Sequence, residues 1–180
     1  MHMNDRLTYG ILLTLVAMLS HTTLSAQPKS AGATFCFSGI GLSYEYATDP
    51  LNFIDISIRA EMSELFLGRE EIPGCSVSFT WNTVLDEWST DEGDKIRFFI
   101  GPGAALGLGK DFKTDYGFLF GLKGKIGMEC IYRRGVCISA SLSPILGQHV
   151  VRLEDTISMR GYRNGIIYGF APEVGIKYCF

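Results

Sequence analysis

Apolar and polar residues alternate with period two along most of the chain, the pattern of an extended strand whose successive side chains point to opposite faces. Ile54, Ile56, Ile58, Ala60 and Met62 share one face of a run, and Asp55, Ser57, Arg59, Glu61 and Ser63 share the other. The next run sets Cys75, Val77, Phe79, Trp81, Thr83 and Leu85 against Ser76, Ser78, Thr80 and Asn82. A third sets Ile96, Phe98, Ile100, Pro102, Ala104 and Leu106 against Arg97, Phe99, Gly101, Gly103, Ala105 and Gly107. A fourth sets Tyr116, Phe118, Phe120, Leu122, Ile126 and Met128 against Lys123, Lys125, Gly127 and Glu129. The last carries Ile166, Tyr168, Phe170, Pro172, Val174, Ile176, Tyr178 and Phe180 on its apolar face, with Glu173, Gly175, Lys177 and Cys179 between them. No helical periodicity of similar length competes after residue 33. The pattern predicts strands near 34–46, 53–66, 74–85, 95–108, 116–131, 136–143, 149–162 and 166–180.

Two turns test the register. Arg133-Arg134-Gly135, as a three-residue loop with Gly in the left-handed position, pairs Tyr132 with Val136 and Cys130 with Ile138, so that the apolar faces coincide. A two-residue loop would pair Cys130 with Cys137 and mix the faces; no Cys130–Cys137 disulfide is therefore expected. Asn164-Gly165 is a strong hairpin signal, predicted to pair Arg163 with Ile166 and to place Met159, Ile157, Leu153 and Val151 on one apolar face, which Asp155 breaks.

The first 26 residues read differently. Leu7–Ser20 is a 14-residue uncharged stretch behind a short polar start that holds Arg6. It is shorter than the roughly 20 residues of a membrane-spanning helix and suits the apolar core of a secretory signal peptide. Ser25 and Ala26 are small residues of a cleavage site, which puts a signal peptide at 1–26 and the domain at 27–180. Cys36 follows ten residues too late for a lipoprotein anchor.

Composition narrows the class. Hydrophobic residues make up 47% and charged residues 19% of the 180, with 21 Gly and a net charge of −3. Disordered chains are richer in charge and poorer in aromatics, and nucleic-acid binders carry a basic excess that is missing here. Alternation alone fits two barrels: a soluble lipocalin-like one with the apolar face inside, or a membrane barrel with that face against lipid. Tyr44, Tyr46, Tyr116, Tyr132, Tyr178 and Phe180 near strand ends, and a polar face rich in Gly and Ser, favour the membrane. In hydrocarbon every backbone donor and acceptor must be satisfied within the protein, which leaves helices and closed barrels.

The final segment, Glu173-Val-Gly175-Ile-Lys-Tyr178-Cys-Phe180, resembles the assembly signal at the C-terminus of bacterial outer-membrane barrels. With the leader and the alternating strands, the chain resembles the small outer-membrane β-barrel family, porin-like and of the OmpX/OmpA type. The resemblance implies an all-β fold, a closed antiparallel up-and-down transmembrane barrel of eight strands with both termini on the periplasmic side. It also implies export through the periplasm, the barrel-assembly machinery as a folding partner, and outer-membrane lipids and lipopolysaccharide as surroundings. A monomer is expected, and no nucleic-acid partner. The fold itself implies no chemistry.

An eight-stranded barrel has an interior just wide enough for side chains. The residues expected to fill it and pair there are Asp55, Arg59, Glu61, Arg97, Lys123, Lys125, Glu129, Arg152, Glu154, Glu173 and Lys177. The expected role is structural or interactive in the cell envelope, without catalysis, metal or cofactor. The rivals are a soluble periplasmic binding barrel and an outer-membrane lipid-modifying enzyme of the lipid A deacylase or acyltransferase kind. The enzyme would need His149, the domain's one histidine, in an outward-facing cluster; the nearest serines, Ser139, Ser141 and Ser143, fall on the lumen face. A lone histidine makes a metal site improbable. Five cysteines leave an odd one; Cys36 and Cys179 are expected at neighbouring ends of the first and last strands, as a bridge or as small apolar filler. The acidic stretch Asp86–Asp94 and the pair Arg133 and Arg134 are expected in loops at the extracellular end. The acidic spacing matches no calcium loop, and Gly101–Gly103 has no following helix to cradle a phosphate.

Overall fold

Among the described residues the alternating runs build ten strands: β1 (Lys29–Cys36), β2 (Gly39–Ala47), β3 (Asn52–Glu61), β4 (Gly74–Ser89), β5 (Lys95–Gly109), β6 (Gly117–Ile131), β7 (Val136–Leu142), β8 (Ile145–Arg152), β9 (Ile157–Gly161) and β10 (Glu173–Cys179). A five-residue helix, α1 (Arg163–Ile167), and a 3₁₀ turn, Tyr168–Phe170, lie between β9 and β10. The computed structural model describes residues 29–62, 73–111, 115–152 and 156–180. The leader at 1–26, the positions 63–66 expected to end the second strand, and Leu153, Glu154 and Asp155 lie outside the described residues.

Antiparallel ladders run β1–β2–β3–β4–β5–β6–β7–β10 and return to β1, closing a barrel. β8 continues β7: Leu142 pairs with Ile126 and Ile145 with Lys123, one uninterrupted register along β6. Pro144 divides the two because it has no N–H to give the ladder; its carbonyl still accepts from Gly124 N at 2.9 Å. β9 begins the eighth wall strand beside β8, and β10 finishes it beside β7. The wall is thus eight strands, closed and antiparallel.

The count of eight agrees with the sequence, but its division does not. The run expected at 34–46 is two strands, turned tightly at Phe37 and Ser38. The runs expected at 136–143 and 149–162 share one wall strand through Arg152. Asn164-Gly165 makes no hairpin and sits inside α1. By contrast, Tyr132–Val136 and Cys130–Ile138 pair as the three-residue turn requires, with Gly135 at φ +80°.

These shifts reverse one end. The β4–β5 hairpin at 90–94 and the β6–β7 turn at 133–135 lie at the end that holds Lys29 and Phe180. The acidic stretch and the Arg pair therefore sit at the same end as Lys29 and Phe180, opposite to the placement expected from the sequence, and Arg133 N donates to Asp94 Oδ1 there at 3.1 Å. Cys36 lies at the far end of β1, remote from Cys179, so no Cys36–Cys179 bridge can form.

The apolar face is outside. Leu42 is 69% exposed, Leu122 72% and Trp81 45%, while Glu129, Lys177, Asp55 and Lys125 are buried within. This excludes the soluble barrel with an apolar cavity. A bulge between Val84 and Asp86 inserts Leu85 and shifts the register. Bulges turn later side chains to the other face, and this one places Trp88 outward against Phe98 in an edge-on contact with centroids 5.0 Å apart. Among the described residues no helix is long and apolar enough to cross a membrane; the elements that could cross are strands.

Candidate functional site

The lumen is the site, and strand parity builds it. From the terminal mouth inward, a vestibule of about 540 Å³ is floored by Ala47, Phe53 and Val84. Phe53 and Phe99 meet edge to face, centroids 5.2 Å apart, and with Ala47 and Val84 form an apolar cluster. The Arg97 guanidinium lies 4.3 Å from the Phe53 ring centroid, a cation–π contact that covers part of a desolvated charge.

Packed against this cluster, three cations and three carboxylates from five strands meet. Lys177 bridges Glu45 and Glu129. Arg97 Nε donates to Glu129 Oε2 at 2.7 Å, and its other arm reaches Glu45 Oε2 at 3.4 Å. Lys125 pairs with Asp55. Ser30 Oγ donates to Glu45 Oε2 at 2.8 Å. Toward the far end, Arg59 pairs with Glu173, Ser76 donates to Glu61 Oε1 at 2.6 Å, and Lys123 donates to Ser78 Oγ at 2.8 Å. In the same half of the interior Ala105, Leu119, Ile145 and Tyr162 pack together.

Opposite charges taken out of water must be paired and hydrogen-bonded, because an unpaired buried ion costs several kcal/mol. Most of the lumen charges meet this demand by matching across strands far apart in sequence, Lys125 with Asp55, Lys177 with Glu45 and Arg59 with Glu173, whereas buried Lys123 donates to the neutral Ser78 hydroxyl. The chemical capacity of such an arrangement is to fill and cross-tie the interior.

Of the residues the sequence marks for this network, Asp55, Arg59, Glu61, Arg97, Lys123, Lys125, Glu129, Glu173 and Lys177 are brought together inside the barrel. Arg152 is not: it is exposed at the end of β8 on the face opposite buried His149 and Val151. Odd positions of β8 point inward, and the sequence assigned Arg152 to a separate strand of opposite parity. Glu154 lies outside the described residues. Glu45 was missed, although it stands between Tyr44 and Tyr46; the alternation that marked those two as outward also put the carboxylate inside.

His149 is buried in the lumen, its Nε2 2.9 Å from Gly109 O and its ring stacked 6.4 Å from that of Tyr162. That position does not meet the outward-facing requirement of the lipid-modifying enzyme. Among the described residues no group of His, Cys, Asp and Glu has the arrangement of a metal site. The C-terminal segment is integrated into the wall: Glu173, Gly175 and Lys177 face in, Tyr178 and Phe180 face out, and Phe180 N donates to Lys29 O at 2.8 Å.

No family model and no curated protein matches the chain. Among solved structures, it is similar to the N-terminal β-barrel domain of OprF from Pseudomonas aeruginosa, at 13% identity and a TM-score of 0.47, covering 86% of this chain and 96% of that one. It is also similar to the attachment invasion locus protein Ail of Yersinia pestis, at 14% identity and a TM-score of 0.33, covering 86% and 95%. The closed, eight-stranded antiparallel barrel rests on this chain's own ladders.

Proposed function

We propose that this protein is an integral outer-membrane β-barrel of a Gram-negative cell envelope, with a lumen filled by its own side chains and a structural or interaction role. The observation that carries this reading is the inverted polarity of the wall. Leu42, Leu106, Leu122, Leu146 and Ile176 are each more than half exposed around the outside, while ten charged side chains turn inward. Water would penalise that exterior, and lipid would not. The signal peptide and the Glu173, Gly175, Tyr178, Phe180 pattern support export and hand-over to the barrel-assembly machinery. On this reading the wall contacts outer-membrane lipids and lipopolysaccharide, the protein acts as a monomer, and it is not an enzyme.

A filled lumen separates this function from that of a general porin. The Phe53–Phe99 cluster and the cross-strand ion pairs support closure. In planar bilayers the purified protein is expected to give no large, stable conductance steps, and on gels of the membrane fraction its mobility should change on boiling. Porin-sized steps would overturn the filled-lumen reading; recovery in the aqueous fraction without detergent would overturn the membrane reading.

A further inference from the structure

Two of the five cysteines share the lumen wall at the terminal mouth. Cys137 on β7 pairs across the ladder with Lys177, and Cys179 stands two residues further along β10 on the same inward face. The two are thus diagonal neighbours on one face of the β7–β10 ladder. Cys137 is buried, whereas Cys179 is half-buried and lines the vestibule together with Lys29 and Arg97. The other three are elsewhere: Cys36 at the far end beside Ser38, and Cys75 and Cys130 on the outer face.

We propose that Cys137 and Cys179 form a disulfide that staples the last strand to β7, installed by exchange with a disulfide-bearing protein that reaches the vestibule. Cys179 is the entry sulfur, since it lines the vestibule whereas Cys137 is buried behind it. Its thiolate attacks the oxidant's disulfide, forms a mixed disulfide and expels one of the oxidant's sulfurs as a thiolate. The Cys137 thiolate then attacks Cys179 Sγ, forms the internal S–S bond and expels the second. The oxidant gains two electrons, and the protons of Cys137 and Cys179 end on its thiols. Diagonal neighbours on antiparallel strands stand about 7–8 Å apart at Cα, slightly beyond the usual span of a disulfide. Closure therefore draws the final residues of the chain toward β7. Both thiols are free in the structure described here, which is the reduced form.

The test uses the full protein from the heat-modifiable band of the membrane fraction, quenched in acid and never exposed to reductant. It is alkylated with N-ethylmaleimide in denaturant, digested and read by mass spectrometry. The expected result is three alkyl groups, on Cys36, Cys75 and Cys130, with a linked Cys137–Cys179 peptide pair, rising to five groups after reduction. Cys137→Ser should expose Cys179 to alkylation, and Cys179→Ser should expose Cys137. Alkylation of both Cys137 and Cys179 in the unreduced wild type, or linkage of either to a different cysteine, would overturn the proposal; the wild-type measurement stands even if a variant fails to assemble.

Discussion

The two halves of the last wall strand handle the same kind of sequence differently. In the half nearest the chain end, Val174, Ile176, Tyr178 and Phe180 alternate with inward residues, and β10 is paired on both edges, with β1 and with β7. In the other half, Ile166, Tyr168, Phe170 and Pro172 continue the alternation without a break, yet the chain coils into α1 and a 3₁₀ turn. Ten residues there span a gap that five residues cross on the neighbouring strand, between Gly147 opposite Tyr162 and Ser141 opposite Glu173. The difference lies in the neighbours. β1 ends at Cys36 in a tight turn, so past Glu173 no partner strand continues along the other edge. A helix satisfies its backbone internally, which an unpaired strand in an apolar setting cannot do. The Asp111 carboxylate accepts from Arg163 N at 2.9 Å and Asn164 N at 2.8 Å, meeting the donors that α1 leaves open.

The comparison can be broken first at the paired half. Lys177→Met leaves Glu45 and Glu129 buried with one shared cation fewer, and removing one partner of a buried ion cluster costs about 3–5 kcal/mol. Urea unfolding in lipid vesicles, followed by the heat-modifiable gel band, should show that drop. A next smaller loss is expected from Ile58→Arg, which puts a charge on the outer face at about 2–4 kcal/mol if it stands near the bilayer midplane. Gly135→Ala, at φ +80° in the β6–β7 turn, should cost about 1–2 kcal/mol, the steric price of a left-handed residue with a Cβ.

The coiled half should respond locally. Asp111→Ala removes both acceptors at the start of α1 and is expected to cost about 1 kcal/mol. Hydrogen exchange should accelerate over 163–170 and leave β10 protected; equal acceleration in β10 would show that the two halves are one cooperative unit. The smallest effect belongs to Asp49 in the β2–β3 turn. Its carboxylate is held below the ordinary Asp value by the Asn52 side chain and by backbone N–H groups of Leu51 and Asn52. A lowered folded-state pKa contributes stability that is complete above the unfolded value and fades as pH falls through the folded one. The difference between wild type and Asp49→Asn should therefore shrink as pH falls from about 6 to about 2.

What could be read in the sequence follows from what period two encodes. It fixed which side chains share a face, so Asp55, Arg97, Lys125, Glu129 and Lys177 could be placed together before any ladder was known. It does not encode where a strand ends. Cys36-Phe37-Ser38-Gly39-Ile40 alternates through a turn, and the Ser143-Pro144 break alternates through a continuing strand, so the first boundary was lost and the second invented. These two shifts cancelled in the count of eight and did not cancel in the topology, which is why the acidic hairpin was assigned to the wrong end. Glycine turns were legible where geometry forced them, as at Gly135, and misleading at Gly165, where the missing strand partner outweighed the local turn preference. Partner choice within the lumen, such as Arg59 with Glu173 across 114 residues, depends on closure of the ring and has no local signal.

The side of the wall that meets lipid can be read directly from Trp81, which faces outward midway along β4. With Trp88→Phe leaving it as the sole tryptophan, its fluorescence should be strongly quenched in vesicles whose lipids carry bromine on the acyl chains, and should be insensitive to aqueous iodide. Quenching by iodide with no response to brominated chains would contradict an apolar face turned to the membrane.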